Sequence, residues 1–254
     1  MAKQSGLGSS LYVAQYDLSG DVGAISTLAC PRAEQDVSAI NESATERILL
    51  RRDGTLAYNS FWNTTAGQAE AVLAAIARAD TITSVFVGNT VGSAAASMIA
   101  KNVDYNIAYG ADGSLGATTD AHGSGYGLEW SGGGTGDGML TTGKQSFATG
   151  TVDGTSIDLG SASTLFGAAG YIHVMTMPSG TATFAIQDSA DNSTFADVTG
   201  LVFTALTGPG SERKQTAAGA TIRRYVRLEG RGTHGTSLVA CNFIRYLTAD
   251  AFSA

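Results

Sequence analysis

Glu129-Trp130 is the most enzyme-like element of this sequence, an acid beside an aromatic ring within a glycine-rich stretch. A glycosidase would need a second carboxylate across the sugar. No other acid is marked out by its local context, so an acid-pair hydrolase built on Glu129 has half its parts. An interfacial Trp on a loop is the plainer reading. His122, His173 and His234 are far apart and fall in different expected elements. Nucleophilic catalysis needs a Ser or Cys and an acid oriented on one such ring, and no motif surrounds any serine. Cys30 and Cys241 have neither metal spacing nor a disulfide framework, which leaves two buried free thiols as the expectation. Gly123-Ser124-Gly125 and Gly132-Gly133-Gly134 lack the strand-to-helix context of a phosphate cradle. The run at 133–138 carries its acid at the wrong place for a calcium repeat. Arg223, Tyr225 and Arg227 alternate onto one strand face. Forked Arg and planar Tyr suit an anion or a sugar, although an exposed sandwich face carries such residues ordinarily. No enzyme, no metal and no cofactor are expected.

The elements that would position these residues are mostly strands. Residues 11–18 read as a first strand, 81–87 and 97–109 as two more, with a return strand over 114–121 after the Asp112-Gly113 turn. Residues 46–62 read as a hairpin with its tip at Asp53-Gly54, because Asp-Gly supplies the positive φ of a tight turn. Arg47, Arg51 and Arg52 make its incoming strand basic, and the hairpin could project from the domain. Residues 65–79 read as the one helix, with Ala69, Val72, Leu73 and Ile76 as its apolar stripe against a sheet and Gln68, Glu70 and Arg78 outward. Residues 123–143 hold nine glycines in 21 positions and read as a linker or mobile loop. Residues 151–247 hold several short strands and no helical stripe, the pattern of a β-sandwich. The expected fold class is mainly β. A β-sandwich or incomplete barrel with one flanking helix spans 1–150, including a flexible arm at 1–10, and a second β-sandwich spans 151–254.

Composition limits the function. The chain has 254 residues, 43% hydrophobic and only 15% charged, with a formal charge of −7. So little charge suits a subunit packed against its own copies, although a small-residue sandwich in solution would look similar. The negative balance argues against a groove that grips nucleic acid through its phosphates. Residues 1–150 hold 8 Lys/Arg against 14 Asp/Glu, net −6; residues 151–254 hold 7 against 8, net −1. No signal peptide and no membrane span are expected, because no long apolar stretch exists.

Three phrases give the N-terminal half a likeness. SLYVAQYDLSGDVGAIS (10–26), ERILLRRDGTLAYNSFWN (46–63) and AGQAEAVLAAIARAD (66–80) resemble the major tail, or tail tube, proteins of long-tailed bacteriophages. The resemblance covers about residues 7–125. It rests on element order and phrase, with no diagnostic motif. It implies a structural virion protein, made in the host cytoplasm, whose copies form hexameric rings stacked into a tube. Tape-measure, terminator and baseplate proteins are the implied partners, and DNA passes without sticking. A long hairpin and the N-terminal arm would join ring to ring, here residues 46–62 and 1–10. Arg47, Arg51 and Arg52 would then meet acids on the next ring. The C-terminal sandwich would decorate the exterior. Its Arg223, Tyr225 and Arg227 face gives the alternative function, a carbohydrate- or host-surface-binding module anchored on a particle.

Overall fold

The computed structural model describes residues 5–76, 79–132, 137–160 and 165–248. The start of the expected arm (1–4), Arg78 of the helix, Gly133 and Gly134 of the glycine run and residues 249–254 lie outside the described residues. In chain order the strands are β1 Ser10–Val13, β2 Tyr16–Asp17, β3 Val22–Ala29, β4 Arg32–Asp36, β5 Arg47–Arg52 and β6 Thr55–Phe61. Helix α1, Ala69–Ile76, follows, then β7 Thr81–Phe86, β8 Ala95–Tyr109, β9 Leu115–Gly123, β10 Glu129–Ser131, β11 Gly138–Met139 and β12 Gln145–Phe147. The rest are β13 Val152–Asp153, β14 Ile157–Asp158, β15 Ala168–Thr176, β16 Gly180–Ser189, β17 Ala196–Val202, β18 Gly210–Gln215, β19 Tyr225–His234 and β20 Ser237–Arg245. Among the described residues the chain is mainly β with one helix, the expected fold class, and its sheets do not close into a barrel. No helix among the described residues is long and apolar enough to cross a membrane.

Two compact units divide the chain. One takes residues 1–20, 82–97 and 129–254; the other takes 21–81 and 98–128. The division expected from the sequence has a single cut at residue 150, whereas these units exchange the chain at 20/21, 81/82, 97/98 and 128/129.

In the first unit, β20 and β15 lie at the centre of a sheet ordered β11-β20-β15-β18, with β12 also on β20. A second sheet is ordered β13-β19-β16-β17, with β14 also on β19. Ile172, Val174, Val239, Cys241 and Phe243 from the first interlock with Phe184, Ile186, Leu201, Val226 and Leu228 from the second. This is the expected C-terminal sandwich, and its first strand starts at Gly138. The outer face of the β15–β20 sheet is covered as well. There Ala240 and Met139 pack with Tyr12, Phe86 and Ala95 of β1, β7 and β8. β1 pairs with β2 and β7, and β10 pairs with the first three residues of β8. So β15 and β20 are buried on both sides.

The glycine run is built into this packing where it is described. At Gly138, φ is +155°, and an added Cβ would sit 2.6 Å from the Ser93 carbonyl oxygen. Glycine lets β11 lie that close to the backbone at 92–93.

In the second unit, β8, β9, β6 and β3 pair in that order, all antiparallel. Asp21 anchors α1: its Oδ2 accepts the Ala69 amide at 2.9 Å and its Oδ1 accepts Asn63 Nδ2 at 2.9 Å. A carboxylate on the first-turn amides also complements the helix dipole. Ala69, Val72 and Leu73 are buried and Ile76 is half-buried, so the expected stripe is the inward one.

Candidate assembly interface

The expected hairpin at 46–62 does not form, because β5 and β6 are not partners. β3 and β6 pair, β4 and β5 pair, and one antiparallel ribbon results: Ile25 faces Tyr58, Ala29 faces Thr55, Arg32 faces Arg52 and Asp36 faces Arg47. Its tip is residues 37–46. Asp53-Gly54 lies midway along the second strand, where the Asp53 amide donates to the Pro31 carbonyl at 2.8 Å. Gly54 has no positive φ. Its glycine answers to a different demand: a Cβ there would fall 2.5 Å from the Leu128 amide nitrogen.

Beyond Asp53 the ribbon leaves the sheet and forms an exposed two-stranded arm. All of β4 and the first five residues of β5 are exposed. Ile48, Leu49 and Leu50 are 49%, 64% and 44% exposed. At the tip, Val37 and Ile40 are exposed too. Leu50 and Arg51 bulge together against Ala33, which puts Ile48, Leu50 and Arg51 on one side of the ribbon and Arg47 and Leu49 on the other. Arg47 is 3.4 Å from Glu34 across the ribbon, an exposed pair of little energetic weight.

One face of the β8–β9–β6 sheet carries Asp104, Asn106, Asp120, Thr118, Ala57 and Asn59. Asp104 stands directly opposite Asp120, beside a bulge at 102–104. Like charges in that register are unfavourable, and the cation closest in sequence, Lys101, is engaged with Asp80 at 3.0 Å.

Glu129 does not front a cleft. It is 4% exposed. Arg213 Nη2 is 2.9 Å from its Oε2 and Arg213 Nε is at 3.0 Å, while the Tyr171 and Tyr246 hydroxyls donate to the same carboxylate. Burial alone would weaken the Arg213 charge, but Tyr171 and Glu129 outweigh it and hold its pKa above the ordinary value. Burial followed by Glu129 pushes Tyr171 well above its own. The cluster is a buried tie between β10, β15 and β18; the half-exposed neighbour is Trp130. A general acid must reach substrate, and the Glu129 carboxylate is closed off from solvent.

No histidine assembles a triad among the described residues. His173 is fully buried, with Nδ1 2.6 Å from the Ala14 carbonyl and Nε2 2.8 Å from Ser84 Oγ. The carbonyl fixes the proton on Nδ1, so the Ser84 hydroxyl donates to Nε2. Ser84 and Ser97 hydroxyls are 2.8 Å apart, and Asn242 Nδ2 donates to Ser97 at 3.0 Å. A polar chain thus crosses the contact between β7, β8 and β20, with no acid on the imidazole. Burial lowers the His173 pKa to about 4, and the Ala14 bond only partly opposes this. The folded form therefore binds a proton less readily than the unfolded chain. Stability is expected to be flat above pH 6.5 and to fall by about 3 kcal/mol as pH drops from 6.5 to 4. Asp17, Asp158 and Asp191 have pKa values below the usual carboxylate range, so their losses begin lower. Urea melts across pH 4–7 measure the slope, and His173→Gln should flatten it.

Arg223, Tyr225 and Arg227 share a strand region, but their partners are internal. Arg223 donates from its amide and Nε to Asp188 at 2.8 and 2.7 Å. Arg227 donates to Gln187 Oε1 at 3.0 and 2.9 Å, pairs with Asp153 at 2.8 Å and stacks 4.1 Å above Phe195. Arg224 lies 5.0 Å over the Tyr225 ring. Cys241 is buried as expected, whereas Cys30 is half-buried. No group of metal-ligating side chains occurs among the described residues.

No protein-family model matches this chain, and no curated protein does. Among solved structures, it is similar to the tail of an empty GTA particle of C6 symmetry, at 13% identity and a TM-score of 0.39, over 51% of this chain and 99% of that one. It is also similar to the SPP1 Dit protein, from the hub adsorption apparatus of phages infecting Gram-positive hosts, at 8% identity and a TM-score of 0.32 over 93% and 99%. Hcp1 from Flavobacterium johnsoniae is similar at 14% identity and a TM-score of 0.32 over 49% and 95%.

Proposed function

We propose that this protein is a structural subunit of a phage tail tube that works by self-assembly and performs no catalysis. The observation that carries the reading is the arm of residues 32–52. Two strands alone are marginally stable in water. A ribbon that holds Ile48, Leu49 and Leu50 in solvent needs another chain over it. The resemblance over residues 7–125 supplies the partner: further copies in rings, six to a ring, stacked into a conduit with tape-measure and baseplate proteins at work in the same virion. The role foreseen for Arg47, Arg51 and Arg52 moves from a hairpin tip at Asp53-Gly54 to this arm. The face with Asp104 and Asp120 suits the bore, since a cross-strand carboxylate pair is costly in a protomer and repels phosphate from a wall that DNA must slide along. Val72, Leu73 and Ile76 hold α1 to its unit, and residues 138–245 form the outer sandwich.

Negative-stain microscopy of the purified protein over a concentration series tests the reading. Annular particles and stacks with a central bore are expected. A strictly monomeric protein at high concentration would overturn it.

A further inference from the structure

The arm accounts for one end of the β3–β6 ribbon. The other end carries a groove of about 350 Å³. Gly23 and Gly116 keep its floor low, with Ala108 and Thr118 beside them, and Phe61 and Tyr109 stand as exposed aromatic walls at 62% and 82% exposure. An added Cβ at Gly23 would meet the Phe61 ring at 3.3 Å. No charged side chain lines the groove. Asp112 lies in the β8–β9 turn between the lining residues Gly110 and Ser114, where it accepts the Ser114 amide at 3.0 Å.

We infer that this groove is the seat for the arm of a second copy: Ile48 and Leu50 of one protomer enter the groove of the next, and Arg51 reaches its Asp112. The inference rests on the tail-tube reading and deepens it by naming the receiving surface. Three observations meet here. The apolar row and the uncharged groove are both exposed and are matched in chemistry. The basic strand is matched to the acidic turn beside the groove. Both features also belong to one continuous ribbon, so they recur at a fixed spacing. Eleven residues separate Ile48 from Asn59 and Leu50 from Phe61, roughly 35–40 Å at the usual rise of an extended strand. A surface and its complement at opposite ends of one element make a head-to-tail contact that repeats without limit. A foreign partner would cover only one of the two. The repeat along the stack should then not exceed roughly 40 Å, the ribbon's own span.

The test uses the full chain with Cys30→Ser. Leu50→Cys and Ala108→Cys proteins are mixed, assembled and oxidised. A disulfide-linked dimer is expected from the mixture and from neither protein alone. Separately, Ala108→Trp should raise the concentration needed for assembly at least tenfold while its melting temperature stays unchanged. Arg51→Glu should weaken assembly, and Arg51→Glu with Asp112→Arg should restore it, which keeps the test decisive if the tryptophan variant folds poorly. Tubes that form with no cross-link, and with Ala108→Trp assembling like the parent, would overturn this seat and leave the tail-tube reading standing. Absence of any assembly by the parent protein would overturn both.

Discussion

Arg213→Met is expected to destabilise the first unit by about 3–5 kcal/mol, because it leaves the Glu129 carboxylate buried without its counter-charge. Glu129 and Arg213 side chains are 2% and 4% exposed, so water cannot take over the lost interaction. The same guanidinium also donates to the Tyr171 and Tyr246 hydroxyls, at 2.9 and 3.0 Å, and to Gln215 at 2.7 Å. One substitution thus strands donors and acceptors from β10, β15 and β18 together. The double variant Glu129→Gln/Arg213→Met should be more stable than Arg213→Met alone, since no isolated charge remains in the interior. Urea denaturation of the four proteins of this cycle measures the coupling. A double variant as unstable as the sum of the single ones would show that the pair contributes nothing as a pair. The experiment also separates the structural role of Glu129 from a catalytic one, as a buried tie moves the melt and a general acid does not.

The sequence patterns were legible where one face of an element meets water. Helix α1 shows this: its stripe of Ala69, Val72 and Leu73 alternates with exposed positions, and those three are the buried ones. Strand β9 alternates over part of its length and was placed nearly to its ends. The central strands of the sandwich were harder. β15 is buried at its first seven positions, so AAGYIHV offers no alternation to read. His173 and Asn242 are buried polar residues that face the layer of β7 and β8, and their hydrogen-bonded partners, Ser84 and Ser97, lie about 90 and 145 residues away in sequence. The Asp53-Gly54 signal misled for a specific reason. Asp-Gly favours a turn only when the flanking strands need each other. Here each flank finds its partner in residues 22–36, and the glycine serves the close approach of Leu128. The continuation of register through Pro31 and Asp53, which makes the arm, is a long-range fact with no local sequence mark. One trace of it was available: Ile48, Leu49 and Leu50 are apolar in succession, and a strand with one wet face would not keep them so.

Ile48→Asp with Leu50→Asp is expected to abolish assembly at concentrations where the parent protein polymerises. Each side chain contributes about 1.5–3 kcal/mol when it passes from water into an apolar seat. Two of them together correspond to roughly a hundredfold to ten-thousandfold weaker contact per copy. A ring or stack multiplies that loss, because every subunit makes the contact at least once. The protomer itself should be indifferent. Both residues are about half exposed on the arm. Circular dichroism and the thermal midpoint should therefore match the parent, while sedimentation or light scattering shows only small species. A double variant that melts normally and still forms tubes would remove the arm from the assembly contact. The exposed carboxylates would then have to be reconciled with a seat that tolerates charge, which a groove lined by Phe61, Ala108 and Leu115 does not.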